Sequence, residues 1–189
     1  MSEPVLQVIL ASTRPGRLGE PVARWFVQRA EQHGGFTVEL LDLKEIGLPM
    51  LDEPKHPMLG EYEHEHTKQW SATISRGDAY VLVMPEYNHS FTAPLKNALD
   101  YLNKEWAHKP VAFVSYGGVA AGTRAATAIK SVVTALRMHP LFEAVHIAFI
   151  RTLVEDGVFR PNQITEDAVK PMLDELARLA SALRPLRSA

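Results

Sequence analysis

Apolar runs and amphipathic stretches alternate along most of the chain. Val5 to Ala11 is nearly all apolar, as in a parallel strand covered on both faces. From about Leu18 to His33, Val22, Phe26 and Ala30 recur at i, i+4 and i+8, with Ala23 and Val27 beside them. That spacing predicts a helix with one apolar face, and Gly34-Gly35 ends it. Phe36 to Leu43, Ala79 to Met84, Val111 to Val114 and Val145 to Ile150 predict four further strands. Helices are predicted over Tyr62 to Arg76, Thr92 to Asn103 and Gly122 to Leu136. A last helix, regular from near Lys170, carries Met172, Leu176, Leu179 and Leu183 inward. Asp42 to Glu65 is irregular, broken by Pro49, Pro54 and Pro57, and is long enough to be a functional excursion. Thr152 to Asn162 reads as a polar loop.

Five strands alternating with five helices imply an α/β fold. The expected form is a doubly wound, five-stranded parallel sheet in the order 2-1-3-4-5, helices on both faces, as one domain over residues 1–189. The switch point then lies between the first and third strands. Three stretches of unusual composition converge at the carboxyl edge: Ser12 to Gly19, Pro85 to Ser90, and Ser115 to Gly118.

The first of these supports a phosphate site. A helix beginning just after a buried strand turns unpaired N–H groups and its positive dipole end toward the loop. Ser12 and Thr13 add hydroxyls, Arg14 and Arg17 add charge, and Gly16 and Gly19 permit close backbone approach. The alternative is a basic surface loop with an ordinary Ser/Thr cap. Neither G-x-G-x-x-G nor G-x-x-x-x-G-K-[ST] is present. Hydroxyls without a P-loop lysine suit a mononucleotide, and FMN is the natural candidate on such a sheet.

Composition removes other classes. The 189 residues carry a formal net charge of -2 with both signs interspersed, so nucleic acid is not an expected partner. There are no cysteines, which excludes disulfides and thiolate chemistry. The first residues lack a signal-peptide pattern and no apolar run reaches membrane-spanning length, so a soluble cytoplasmic protein with no membrane partner is expected. His64 and His66 lie among Glu61, Glu63 and Glu65, but two residues apart on a helix they do not share a face, and no metal site is expected.

With these stretches in place the chain resembles the NAD(P)H-dependent FMN reductase family, which has a flavodoxin-like fold. The likeness rests on Ser12-Thr13-Arg14-Pro15-Gly16-Arg17, on Pro85-Glu86-Tyr87-Asn88-His89-Ser90 followed by Leu95-Lys96-Asn97-Ala98-Leu99-Asp100, and on Ser115-Tyr116-Gly117-Gly118. Leu18-Gly19 stands where the family's first loop usually has a Ser.

The resemblance implies that Ser12, Arg14 and the N–H groups around Arg17, Leu18 and Gly19 hold the FMN phosphate. It implies that Pro85, Glu86, Tyr87 and Asn88 lie along the isoalloxazine and offer it backbone N–H groups. Ser115, Tyr116, Gly117 and Gly118 would form the opposite wall. Simpler roles stand beside these: a salt bridge for Arg14, a helix cap for Asn88 or Ser90, a plain turn for Gly117-Gly118.

Function follows as an expectation. NADPH or NADH reduces the flavin, which passes electrons to a small acceptor: free flavin, a quinone, an azo or nitro compound, or a metal oxyanion. One flavin face used in turn gives ping-pong kinetics. Hydride transfer needs no side-chain acid or base, so no catalytic residue is assigned, Glu86 included. Arg17 is expected to be a spare cation near the cleft, able to favour the NADPH 2′-phosphate. The family implies a homodimer or homotetramer. Tyr101, Leu102, Trp106 and the stretch from Pro54 to His66, with no obvious internal partner, are expected near its interface. A flavodoxin-type electron carrier is the alternative function.

Overall fold

The computed structural model describes residues 3–187. The strands are β1 (Val5–Leu10), β2 (Thr37–Asp42), β3 (Ala79–Pro85), β4 (Pro110–Tyr116) and β5 (His139–Ile147), all parallel in the order 2-1-3-4-5. This is the flavodoxin-like topology. The strands are separated by α1 (Gly19–His33), α2 (Leu43–Ile46), α3 (Glu65–Arg76), α4 (Ala93–Asp100) and α5 (Thr123–Ala135). A small antiparallel hairpin follows, β6 (Val154–Glu155) and β7 (Val158–Phe159), then α6 (Gln163–Asp167) and α7 (Val169–Leu183).

The pleat of β1 sorts its residues between two cores. Leu6, Val8 and Leu10 face α1 and α7, against Phe26, Met172 and Leu176. Ile9 faces the other side, where Trp70 of α3, Leu95 and Leu99 of α4, and Ile129 and Val133 of α5 pack over Leu82 and Met84. Every residue of β3 is buried, consistent with its uninterrupted apolar run. Burial of each large side chain there contributes about 1.5–3 kcal/mol.

Four expectations are corrected. The helix expected to reach Asn103 ends at Asp100 and gives way to a 3-10 turn, Lys104–Trp106. Strand β5 begins at His139 rather than Val145, because this edge strand leaves Phe142 93% exposed and lacks an apolar signature there. The polar loop holds the β6–β7 hairpin, turned by Asp156 and Gly157, both left-handed. Tyr101, Leu102 and Trp106 are buried in the chain's own core, Trp106 packing against Trp70 and Tyr80.

The excursion between β2 and α3 has internal partners after all. Asn97 accepts from Leu51 N at 2.9 Å and donates to Pro49 O at 2.6 Å. Glu53 accepts from the backbone N–H groups of Glu63 and His64 and so ties the excursion to the start of α3. His64 and His66 do come together, their rings stacked at 5.2 Å, because His64 is the extended N-cap and lies outside the helical repeat. Both contact Asp52: His66 through its carboxylate, His64 through its carbonyl. Among the described residues no three potential ligand side chains are grouped as a metal site requires.

Candidate functional site

The loops after β1, β3 and β4 converge on a cavity of about 320 Å3 at the carboxyl edge of the sheet. Ligand pockets usually start near that size. Ser12, Arg14, Arg17 and Leu18 line one side, Pro85, Glu86 and Tyr87 the floor, and Tyr116, Gly117 and Gly118 the far wall. Phe149, Ile150, Arg151 and Thr152, directly after β5, also line it and were not anticipated. The signal was available: the rule that places sites at the ends of parallel strands applies to β5 as well.

Three anticipated residues lie elsewhere. Thr13 lines a separate recess beside α2 and α4, because in an extended loop successive side chains point to opposite sides and Ser12 takes the cleft. Asn88 is exposed at the tip of a turn and does not line the cavity. Gly19 sits behind the wall, where an added Cβ would lie 2.4 Å from Tyr116 Oη.

Arg17 is not a spare cation. Its Nη1 donates to Asp42 Oδ1 at 2.6 Å and to Ser12 O at 2.8 Å, while its Nη2 pairs with Asp42 Oδ2 and reaches Glu20 at 3.4 Å. The side chain is 6% exposed. Hydrogen bonding to Asp42 raises the guanidinium pKa. Burial pushes the Asp42 carboxyl up, but Arg17 and the Lys44 amide outweigh it and leave the group below its ordinary range. Arg17 therefore fastens the first loop to the end of β2. Arg14 and Arg151, by contrast, have no hydrogen-bond or carboxylate partner among the described residues.

Helix α1 opens without a side-chain cap, since its N-cap residue is Leu18. Its first-turn amides are left for solvent or a ligand. Ser12, 1% exposed, shares a hydrogen bond of 3.1 Å with the Tyr87 hydroxyl. Tyr116 is buried beneath, and burial raises its phenol pKa.

The second loop is a tight hairpin. Tyr87 N donates to Ser90 O at 2.9 Å and Ser90 N to Tyr87 O at 3.0 Å, with Asn88 and His89 both left-handed, as in a type I′ turn. Asn88 and Ser90 are not the helix cap; Thr92 caps α4, its Oγ1 accepting from Leu95 N. Fewer backbone donors remain here than expected: Pro85 has none, Glu86 N donates to Tyr116 O, and Tyr87 N is used in the turn. The Glu86 carboxylate accepts from Arg124 N and from Arg124 Nη1 at 2.7 Å, which staples this loop to the start of α5.

The third loop depends on Gly122. Its φ is +79°, and a Cβ there would lie 2.7 Å from both Ser115 Cβ and Tyr116 N. Ser115 Oγ donates to Ala121 O at 2.9 Å and contacts His146 Nδ1 at 2.7 Å, which assigns the Nδ1 proton to His146 as donor. Burial, then Lys130, lowers the His146 pKa and favours the neutral ring. Gly117 N donates to Ile147 O, and Phe149 N and Ile150 N donate back to Gly118 O and Gly117 O, so the two loops form one wall. Gly118 N has no protein acceptor among the described residues.

The molecule thus presents an uncapped helix N-terminus, a free arginine and a wall of backbone at one cleft. Comparison with known proteins gives the family. Residues 5–151 match the family described as NADPH-dependent FMN reductase. The chain is 38% identical over 160 residues to an NAD(P)H-dependent FMN reductase of Schizosaccharomyces pombe, covering 84% of this chain and 80% of that one. It is 30% identical over 146 residues to an NADPH azoreductase of a Bacillus species, covering 76% and 75%. Among solved structures it is similar to FerB, a flavoenzyme NAD(P)H:(acceptor) oxidoreductase of Paracoccus denitrificans. The TM-score is 0.75 at 20% identity, over 95% of this chain and 98% of that one, a likeness of fold. The match over most of the chain sets aside a flavodoxin-type carrier: this chain belongs to the NADPH-dependent FMN reductase family and is an oxidoreductase.

Proposed function

We propose that the cleft at the carboxyl ends of β1, β3 and β4 holds FMN, and that electrons pass from NAD(P)H to a small diffusible acceptor in a ping-pong cycle. The observation that carries this reading is the loop leading into α1, where Leu18 at the N-cap of a helix without a side-chain cap, the buried Ser12 hydroxyl and the unpaired Arg14 border the cleft together. This donor set fits a phosphate dianion. Bound FMN supplies the redox chemistry, accepting hydride and passing electrons on.

The protein's part is position and electrostatics. Arg17 and Asp42 fix the first loop, and Glu86 and Arg124 fix the second. Gly118 N, which lacks a protein acceptor among the described residues, belongs to the lining of the cleft and can donate to a flat polar edge. No side chain of the cleft is assigned a proton-transfer role, since hydride transfer requires none. With one such cleft, donor and acceptor use it in turn, and double-reciprocal plots are expected to be parallel. The acceptor is read as small because relatives with this family's features are named for FMN and for azo compounds.

The same reading includes a homodimer or homotetramer. The excursion displays Met50, Leu51, Met58 and Leu59 to solvent although its backbone is tethered from within. So many exposed large apolar side chains in one short excursion favour burial against a second copy.

The test is discrimination between flavins. FMN is expected to bind far more tightly than riboflavin, and Arg14→Ala to weaken FMN by about 1.5–3 kcal/mol while leaving riboflavin unchanged. Equal affinity for the two flavins in fluorescence titration overturns the phosphate assignment.

A further inference from the structure

A second recess, of about 510 Å3, lies at the opposite edge of the sheet, where β3, β4 and β5 begin. Five cations line it: Lys104, Lys109, Arg137, Arg184 and Arg187. Only two carboxylates, Asp78 and Glu105, line it with them. On a chain whose formal net charge is -2, this is a concentrated excess of the opposite sign.

The two carboxylates do not neutralise the group. Asp78 is taken by Arg187 Nη1 at 2.7 Å and by Val5 N at 2.9 Å, leaving Arg184 at 3.7 Å. Glu105, 5% exposed, receives neutral donors alone: Tyr62 Oη at 2.9 Å, Ser71 Oγ at 2.7 Å and Asn103 N at 3.2 Å. Lys109 is buried, and its ammonium donates to three neutral oxygens, Ile74 O, Ser75 O and Tyr80 Oη. It contributes field rather than a free donor. Burial, and then Arg187, push its pKa down to about 8, as expected for a charge without a counter-ion. The Lys104 ammonium and the Arg137 guanidinium have no hydrogen-bond acceptor among the described residues.

The frame around these cations is rigid. His108 and Arg137 are both left-handed at φ 59°, and His108 N donates to Arg137 O at 2.9 Å. His139 N donates to Lys109 O at 3.0 Å. Two non-glycine residues held in that conformation, bonded to each other at the mouth of one recess, are strain of the kind that clusters at ligand clamps.

We propose that this recess is a second binding site, for a compact multivalent oxyanion bearing phosphate groups. Arg137 and Lys104 contact it directly, and Lys109, Arg184 and Arg187 supply the surrounding positive potential. Such an anion satisfies the unused guanidinium and ammonium donors, and a monovalent ion does not match the number of cations present. The site is separate from the flavin cleft, at the other end of the strands.

The experiment is calorimetric titration of sodium pyrophosphate into protein saturated with FMN, at fixed ionic strength, so that the flavin phosphate site is already filled. Saturable binding at one per chain is expected. Arg137→Asn, which suits the left-handed backbone, and Lys104→Gln are each expected to weaken it about tenfold, the loss of one charge-assisted contact. FMN content and melting temperature serve as controls for folding. Tighter binding of ADP than of pyrophosphate identifies nucleotide phosphates as the source; weaker binding of ADP identifies a free polyphosphate. Absence of saturable binding, or binding unchanged in both variants, overturns the proposal.

Discussion

Replacing Asp42 by Asn should weaken FMN binding, although it removes a negative charge from the neighbourhood of an anion. Electrostatics alone predicts the reverse. A unit negative charge removed at roughly 10 Å from a dianion in water-like surroundings improves phosphate binding by about 0.8 kcal/mol, a factor of about four. The structure assigns Asp42 a different role. It grips both Nη atoms of Arg17, and Nη1 also holds the carbonyl of Ser12 in the first loop. Side-chain exposure of 6% for Arg17 and 17% for Asp42 puts the pair between two limits. Exposed pairs are worth up to about 1 kcal/mol, and breaking a fully buried one costs about 3–5 kcal/mol. A loss of about 2 kcal/mol in stability is therefore expected, or roughly 4–8 °C in melting temperature for a chain of this size. Asn keeps an oxygen for the Lys44 amide, so the start of α2 is preserved. FMN affinity, measured by quenching of flavin fluorescence, should fall about tenfold because the loop loses its anchor. The pH dependence carries a sign. Asp42 is held below its ordinary range, so its contribution is present above about pH 4 and disappears as pH falls through its folded value. Asp42→Asn should flatten that acid limb. FMN bound as tightly as, or more tightly than, in the parent protein would refute the anchoring argument.

Gly19→Ala should lower the melting temperature by about 2–12 °C, through about 1–3 kcal/mol of overpacking against Tyr116 Oη and Leu10 Cδ1, and reduce FMN uptake by displacing the first turn of α1. Light scattering at micromolar concentration should show a dimer or tetramer, and Met58→Glu should shift it toward monomer; a monomeric parent protein removes the assembly from the proposed function.

The fold was legible where strands are buried on both faces. Val5 to Leu10 and Ala79 to Pro85 announce themselves as apolar runs, and their neighbours follow from alternation with helices. Strand β5 was half hidden because an edge strand with an exposed Phe142 carries no such run. The β6–β7 hairpin did leave a mark in Asp156-Gly157 between short apolar pairs, a recognised turn signal. The site was legible as three loops, because parallel topology brings strand ends together. The fate of Arg17 was not: its partner Asp42 is 25 residues away on the neighbouring strand, and local composition says nothing of that pairing. The backbone donors of Glu86 and Tyr87 were likewise consumed by contacts that only the folded chain reveals.

Helix α7 lies beyond residue 151, where the family match stops, yet it lies over β4 and β5 and supplies Met172, Leu173, Leu176 and Ala180 to the core shared with α1. Through synthesis from the N-terminus, all five strands of the parallel sheet are complete by Ile147 while the β4–β5 part of one face still lacks its cover. The nascent sheet must wait about 36 further residues for Leu183, at a pace of roughly 5–20 residues per second. For those seconds the apolar flank of β4 and β5 is open to chaperones or to other nascent chains. The stretch that the family model matches therefore ends before the helix that completes this core.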